Sequence, residues 1–188
     1  MEQEQLTDLA ADNPARLLWQ IDQQVRRYAS PLPQRIELKA NWEGIAFRIF
    51  DTPMVVSVEQ VAEILLDFRV TVVPGVKAWV LGVANVRGVL LPMLDLPTLL
   101  GDHSRVALNR KKVFIVNHAG MSAGLCIDEV IGIRRFDEGD YQRGDGGVTL
   151  PQLRTLIQGS YRDNDDRQWP VVDLYRLMEQ DEFLQIAA

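Results

Sequence analysis

Pro92-Met93-Leu94-Asp95-Leu96-Pro97-Thr98-Leu99-Leu100 is a phrase that the chain uses twice, for it returns as Pro170-Val171-Val172-Asp173-Leu174-Tyr175-Arg176-Leu177-Met178. Both copies read proline, two apolar residues, Asp-Leu, two variable residues and two apolar ones. A proline with two apolar residues suits a short buried strand. The Asp-Leu that follows suits a helix start, where the aspartate oxygen accepts from the first free backbone amides. Asp95 and Asp173 are therefore expected to be helix caps rather than catalytic acids. Two such endings imply two similar β units with a common core.

Outward from these phrases the apolar period is 2. Ile45, Phe47 and Ile49 alternate with smaller or charged neighbours, Asp51-Thr52-Pro53 reads as a turn, and Val56 and Val58 resume the alternation. Short β-rich runs follow at Val70 to Val73, Leu81 to Val86, Val89 to Leu94, Val113 to Val116, Met121 to Ile127 and Val130 to Ile133, then at Leu156 to Tyr161 and Trp169 to Val172. Turn signals at Arg87-Gly88, Asn117 to Gly120 and Asp163 to Asp166 separate them, and Gly139 to Gly147 reads as a surface loop. Many short strands at this spacing indicate small barrels or a sandwich. The head of the chain differs. Asn13-Pro14 opens a helix over about 14–29, with Leu17, Leu18, Ile21, Val25 and Tyr28 on one stripe and Arg16, Arg26 and Arg27 mostly off it. Ser30-Pro31-Leu32-Pro33 ends it, so 1–39 is an extension and 40–188 the β-rich domain. The helix is free to pack on its own domain or on a partner.

The 188 residues carry 20 basic and 26 acidic side chains, a net charge of −6, which gives no electrostatic grip on nucleic acid or anionic lipid. No apolar run nears the ~20 residues that span a bilayer, and Met1-Glu2-Gln3-Glu4-Gln5 has no signal-peptide character, so a cytoplasmic protein is expected. The single cysteine, Cys126, lies in an apolar strand where a thiol behaves as a small hydrophobe; His103 and His118 sit in polar turns and read as solvated. No nucleophile elbow, P-loop, dinucleotide fingerprint or zinc motif is present, and no metal or cofactor is expected. Two charges stand out instead. Glu63 interrupts Val61-Ala62-Glu63-Ile64, and Arg87 interrupts Asn85-Val86-Arg87-Gly88-Val89-Leu90. Such charges guard a sheet edge or mark a recognition point.

At these residues the chain resembles the CheW family of chemotaxis coupling proteins. Val73-Pro74-Gly75 through Val80-Leu81-Gly82-Val83-Ala84-Asn85-Val86-Arg87-Gly88 to Pro92-Met93-Leu94-Asp95-Leu96 is similar to the family's central phrase, a proline, a short helix, Gly-Val-x-Asn-Leu-Arg-Gly and Pro-hydrophobic-hydrophobic-Asp-Leu. Val58 to Ile64 and Ala123-Gly124-Leu125-Cys126-Ile127-Asp128-Glu129-Val130 match its flanks, and the similarity covers about residues 42–180. Val86 stands where leucine is usual, and Val55-Val56 where many relatives carry glycine. The helix-bearing head is most similar to the family's type IV pilus (twitching) branch.

The resemblance implies a mainly β fold of two interwound five-stranded β-barrels, with the N-terminal helix and short helices including a C-terminal one. It implies no catalysis. A coupling protein joins a methyl-accepting chemoreceptor, here PilJ-like, to the regulatory domain of a CheA-type histidine kinase, here ChpA-like, in arrays at the membrane. It gives Arg87 and its partner Glu63 the receptor-contacting role, with Val61, Asn85, Val86 and Gly88 in the same surface. No short motif marks the kinase contact, and Val130 and Ile133 are kinase-binding candidates from their position after the Gly124 strand. Flagellar chemotaxis coupling, or a small-ligand-binding β-barrel, are the alternatives.

Overall fold

The structure is a computed structural model, and the residues described are 15, 16, 18, 19, 22, 23, 41–101 and 111–185. The chain divides into Met1–Leu38 and Lys39–Ala188. In the first unit Ala15, Arg16, Leu18, Trp19, Asp22 and Gln23 are helical and exposed. The other positions of the expected helix, and His103, lie outside the described residues. No described helix is long and apolar enough to cross a membrane.

The second unit is mainly β. Its strands are β1 (Asn41–Ile49), β2 (Thr52–Ser57), β3 (Glu63–Leu65), β4 (Val80–Val86), β5 (Val89–Asp95), β6 (Lys112–His118), β7 (Met121–Ile127), β8 (Glu129–Asp137), β9 (Tyr141–Gln142), β10 (Ile157–Arg162) and β11 (Gln168–Val172). Short helices α1 (Leu96–Leu99) and α3 (Leu174–Met178) follow β5 and β11, with α2 (Pro151–Arg154) and α4 (Asp181–Leu184) beside them. One sheet runs β8-β1-β2-β11-β10-β9 and the other β3-β6-β7-β5-β4. The two expected barrels are thus two curled sheets without a closing ladder, and the first has a sixth strand because Tyr141 and Gln142 pair with Tyr161 and Ser160.

The topology is an exchange. Residues 41–101 and 111–179 each form a hairpin, a single strand, a second hairpin and a short helix, the second half adding β9 and α2 before its second hairpin. The hairpin β1–β2 takes its remaining strands from the other half, β8 on one side and β11–β10 on the other, while β6–β7 takes β3 and β5–β4 from the first half. The repeated phrases occupy equivalent places: β5 pairs in parallel with β7 through Met93, Leu94 and Asp95, and β11 with β2 through Val171 and Val172. The equivalence extends to single atoms. Asp95 donates its backbone N–H to the Trp79 carbonyl at 2.7 Å, and Asp173 to the Leu156 carbonyl at 2.9 Å. Both hairpins shift register at the same point, between Val80 and Gly82 and between Ile157 and Gly159. Glycine is required at both bulges, because a Cβ would lie 2.1 Å from the Thr71 carbonyl oxygen at Gly82 and 2.4 Å from the Tyr141 hydroxyl at Gly159.

Period-2 side chains sort the core. Ile45, Phe47, Ile49, Met54 and Val56 of the first sheet meet Leu94, Phe114, Val116, Leu125 and Ile127 of the second in one buried cluster, with Phe47 edge-on to Phe114 at 5.3 Å. The opposite faces form smaller clusters, Ala46, Val55, Phe136, Tyr161, Trp169 and Val171 in the first sheet, and Ala84, Leu91, Met93, Val113, Ile115 and Cys126 in the second. Val55 and Val56 are regular buried strand residues.

Several expectations need correction. Val70–Val73 is no strand: it touches the sheet through one bridge, Thr71 to Val83, with Val72 exposed. The bulge at Gly82 lets it cross β4 without running along it. The third strand is Glu63–Leu65, from a stretch with no alternation. Residues 74–75 and 78–79 are turns where the resemblance put a short helix, and the turn expected at Asp51-Thr52-Pro53 falls at Phe50-Asp51, so that β2 begins at Thr52. The expected loop at Gly139 to Gly147 includes β9.

Candidate functional site

The hairpin β4–β5 turns through two residues, Arg87 at φ 51° and Gly88 at φ 89°. Positive φ at both central positions is the type I′ requirement, which matches strand twist and favours glycine. A Cβ at Gly88 would meet nothing within 4 Å, so its glycine serves conformation rather than space. Arg87 holds the less favourable position, and Asn85 supports it: its Oδ1 accepts from the Gly88 N–H at 2.8 Å and ties the turn to the strand.

So held, Arg87 donates from Nη2 to Glu63 Oε1 at 2.7 Å. The two side chains are 79% and 28% exposed. Glu63 is on β3 and Arg87 at the end of β4, the two opposite edges of the five-stranded sheet, so the sheet curls until its edges meet and the ion pair latches them at one end. An exposed pair of this kind contributes only about 0–1 kcal/mol. Fold stability is therefore a weak account of it.

The other expected members divide. Asn85 and Gly88 are exposed beside Arg87; Val61 and Val86 are half-buried, packing on the central cluster and on the second sheet's cluster. The apolar area next to the pair comes instead from Val89 and Leu90, 57% and 68% exposed. Sequence reading placed both in the β-rich run Val89 to Leu94 without marking them as exposed; the signal was Asn85, since Leu90 is its cross-strand partner and shares its outward face. The kinase-binding candidates also separate: Val130 packs on the central cluster, and Ile133 is 67% exposed.

Two electrostatic centres underlie this surface. Asp95 caps nothing, for its side chain accepts no amide from α1. It receives the Thr98 hydroxyl at 2.5 Å and an ion pair from the buried Lys111 Nζ. Lys111 also lies 4.0 Å from Asp128, whose other oxygen accepts from the Phe50 N–H at 2.8 Å in the β1–β2 turn. Asp173 does cap: Oδ1 accepts from the Tyr175 and Arg176 N–H groups at 3.0 and 3.1 Å, and from Gln60 Nε2 at 3.0 Å. His118 is not solvated. It is half-buried, stacked on Tyr175 at 4.3 Å, with Nε2 2.7 Å from Glu179. Burial, and then the Asp95 charge, push the Cys126 thiol up to about 12, which makes it a poor nucleophile. A polar hollow of about 390 Å³ is lined by Arg134, Arg135 and Arg162, of which Arg135 pairs with Glu43 at 2.5 Å, Arg162 pairs with Asp166 at 2.9 Å, and Arg134 lies over the Trp169 ring at 5.2 Å.

The CheW-like domain profile matches residues 43–182. The chain belongs to the CheW-like family. It is 36% identical over 176 residues to protein PilI of Pseudomonas aeruginosa, covering 93% of this chain and 96% of that one. Chemotaxis protein CheW of Bacillus subtilis is 28% identical over 112 residues, 60% of this chain and 72% of that one. The crystal structure of the scaffolding protein TtCheW from Thermoanaerobacter tengcongensis superposes with a TM-score of 0.64 at 22% identity, covering 75% of this chain and 94% of that one. The family match thus spans both exchanged halves, and the similarity to PilI extends into the head as well.

Proposed function

We propose that this CheW-like protein is a non-enzymatic adaptor that couples a PilJ-like methyl-accepting chemoreceptor to a ChpA-like CheA-type histidine kinase in type IV pilus (twitching) signal transduction. The observation that carries the reading is the Arg87–Glu63 pair, held on a rigid turn at 2.7 Å and largely open on the arginine side, with Val89 and Leu90 exposed beside it. Such a surface suits a helical receptor tip that offers apolar contact and a complementary charge. Val61, Asn85, Val86 and Gly88 shape it, and Ile133 on the other sheet is the accessible candidate for kinase contact, while Val130 packs on the central cluster. The protein works in the cytoplasm, recruited to receptor arrays, where each contact is nearly intramolecular and modest affinities suffice.

The test is receptor capture. Arg87→Glu and Glu63→Arg should each weaken binding of the receptor's cytoplasmic tip at least tenfold while the circular dichroism spectrum stays that of the wild type; wild-type capture by both variants contradicts the assigned surface. Deletion should abolish twitching and leave swimming intact. The reverse pattern assigns the protein to flagellar chemotaxis instead.

A further inference from the structure

The repeated phrase differs from itself at its two variable positions, which hold Pro97-Thr98 in the first copy and Tyr175-Arg176 in the second. Tyr175 reaches from α3 in the second half to the first half of the chain. Its hydroxyl donates to the Glu59 carbonyl at 3.0 Å, and its ring stacks at 4.3 Å on His118, the last residue of β6. His118 lies 2.7 Å from Glu179, so the stack is tied to the end of α3 as well. Gln60 spans the other end of the same helix. Its Nε2 donates to Asp173 Oδ1 at 3.0 Å, and its Oε1 accepts from the Leu174 N–H at 2.8 Å. An amide suits this place because it donates and accepts at once; a carboxylate has no N–H to give and would set a second negative charge against Asp173.

The segment held in this way is one that its own ladder holds weakly. β3 and β8 are equivalent strands of the two halves, yet β8 has nine residues and β3 three. β3 lies at the edge of its sheet, with Glu63, Ile64 and Leu65 opposite Ile115, Phe114 and Val113 of β6, and the Ala62 N–H donates to the Ile115 carbonyl at 2.8 Å just before it. So short an edge ladder opens locally at low cost. Upstream the chain makes a single 3-10 turn, Val58–Gln60, and Glu59 and Gln60 are the residues of that turn that bond to α3. From there the chain runs directly to Glu63, whose carboxylate meets Arg87 at 2.7 Å. An edge strand of this length keeps a carboxylate in one place when something outside the ladder fixes its approach.

We infer that Tyr175 and Gln60 are positioning residues for the receptor surface. The α3 helix of the second half is the support on which Glu59 and Gln60 rest, and through them it sets the place of β3 and of the Glu63 carboxylate opposite Arg87. Neither side chain contacts the receptor. With the support intact the Arg87–Glu63 pair is formed in advance, and a docking partner does not have to order it. The consequence for binding rests on the receptor reading of Arg87 and Glu63, whereas the support itself is measurable on the protein alone.

The experiment is amide hydrogen exchange on the full chain, followed by binding of the receptor's cytoplasmic tip. Tyr175→Phe removes the hydroxyl and keeps the stack on His118; Gln60→Glu keeps the shape, loses the donor and places a carboxylate beside Asp173. Each should raise exchange at Ala62 and in β3 several-fold, Gln60→Glu the more, while the amides of β5 and β7 stay as in the wild type. Each should also lower receptor-tip affinity roughly three- to tenfold and leave kinase binding unchanged. In a Glu63→Ala background Tyr175→Phe should cause little further loss of receptor affinity, because the carboxylate it positions is gone. Unchanged exchange at Ala62 in both variants overturns the inference, as does a rise spread evenly over the domain. Additive losses in the double variant also overturn it, as does wild-type receptor affinity in both single variants when Arg87→Glu binds weakly. Wild-type receptor binding by Arg87→Glu itself removes the receptor reading, and exchange at Ala62 then decides the support by itself.

Discussion

Asp95 and Asp173 occupy the same place in two copies of one phrase, yet they perform different work. After Asp173 the second helical position is Tyr175, which donates its N–H to the carboxylate. After Asp95 that position is Pro97, which has no N–H to give. The carboxylate of Asp95 turns instead to Thr98 and to Lys111, and through Lys111 it joins Asp128 and the Phe50 turn. Where the second copy has a neutral amide, Gln60, reaching its aspartate from the other half, the first has a buried cation. Backbone pairing is common to both halves, whereas the electrostatics depends on which residue the exchange brings alongside.

The largest expected effect breaks the first site. Lys111→Met leaves the Asp95 and Asp128 carboxylates together without their cation, and should destabilise the domain by about 3–5 kcal/mol in chemical denaturation. Asp95→Asn should also be costly, because Lys111 then keeps only the more distant Asp128. At the second site Asp173→Ala removes a cap and the Gln60 and Gln158 contacts, for about 1–2 kcal/mol. Asp173→Asn should cost less than about 1 kcal/mol, since asparagine caps as well. Equal effects of the two Asn variants would erase the distinction drawn between the sites.

The two hairpin tips sharpen it further. The β4–β5 tip depends on Asn85 and Gly88, which do not titrate. The β10–β11 tip is organised by Asp163, whose carboxyl is held below the usual range by the Trp169 indole N–H and by the Arg167 and Asp165 amides. A depressed folded pKa means that this contribution is complete above the unfolded value of ~4 and is lost as pH falls through the lower folded value. The Trp169 indole resonance should therefore shift in that acid range, while the Gly88 amide should show no transition of its own. The smallest effect is none: native Cys126, pushed up to about 12 by burial and Asp95, should resist thiol alkylation at pH 8 and react once the chain is unfolded.

Much of this architecture was legible in the sequence. Alternating Ile45, Phe47 and Ile49 and the doubled Pro-apolar-apolar-Asp-Leu phrase indicate β units with a common core, and they have one. The exchange was implied by the family resemblance and not by alternation, because β3 is three residues without alternation, and β-branched Val70 to Val73 carries a strand's composition without a strand's pairing. The role of Asp95 could have been suspected from Pro97, but its cation is sixteen residues away, in a run of bases that looks like solvated surface. Arg87 and Glu63 stood out as charges within apolar stretches; only the curl of the sheet explains why edges that are four strands apart in hydrogen-bonded order meet.

The most direct test of the coupling role is reconstitution. Receptor cytoplasmic domains are displayed on vesicles, the kinase is added, and its co-sedimentation is measured with and without this protein. The kinase should sediment only when the wild-type chain is present, and Arg87→Glu should leave it in the supernatant. Equal sedimentation in the absence of the chain, or undiminished recruitment by Arg87→Glu, would contradict the account.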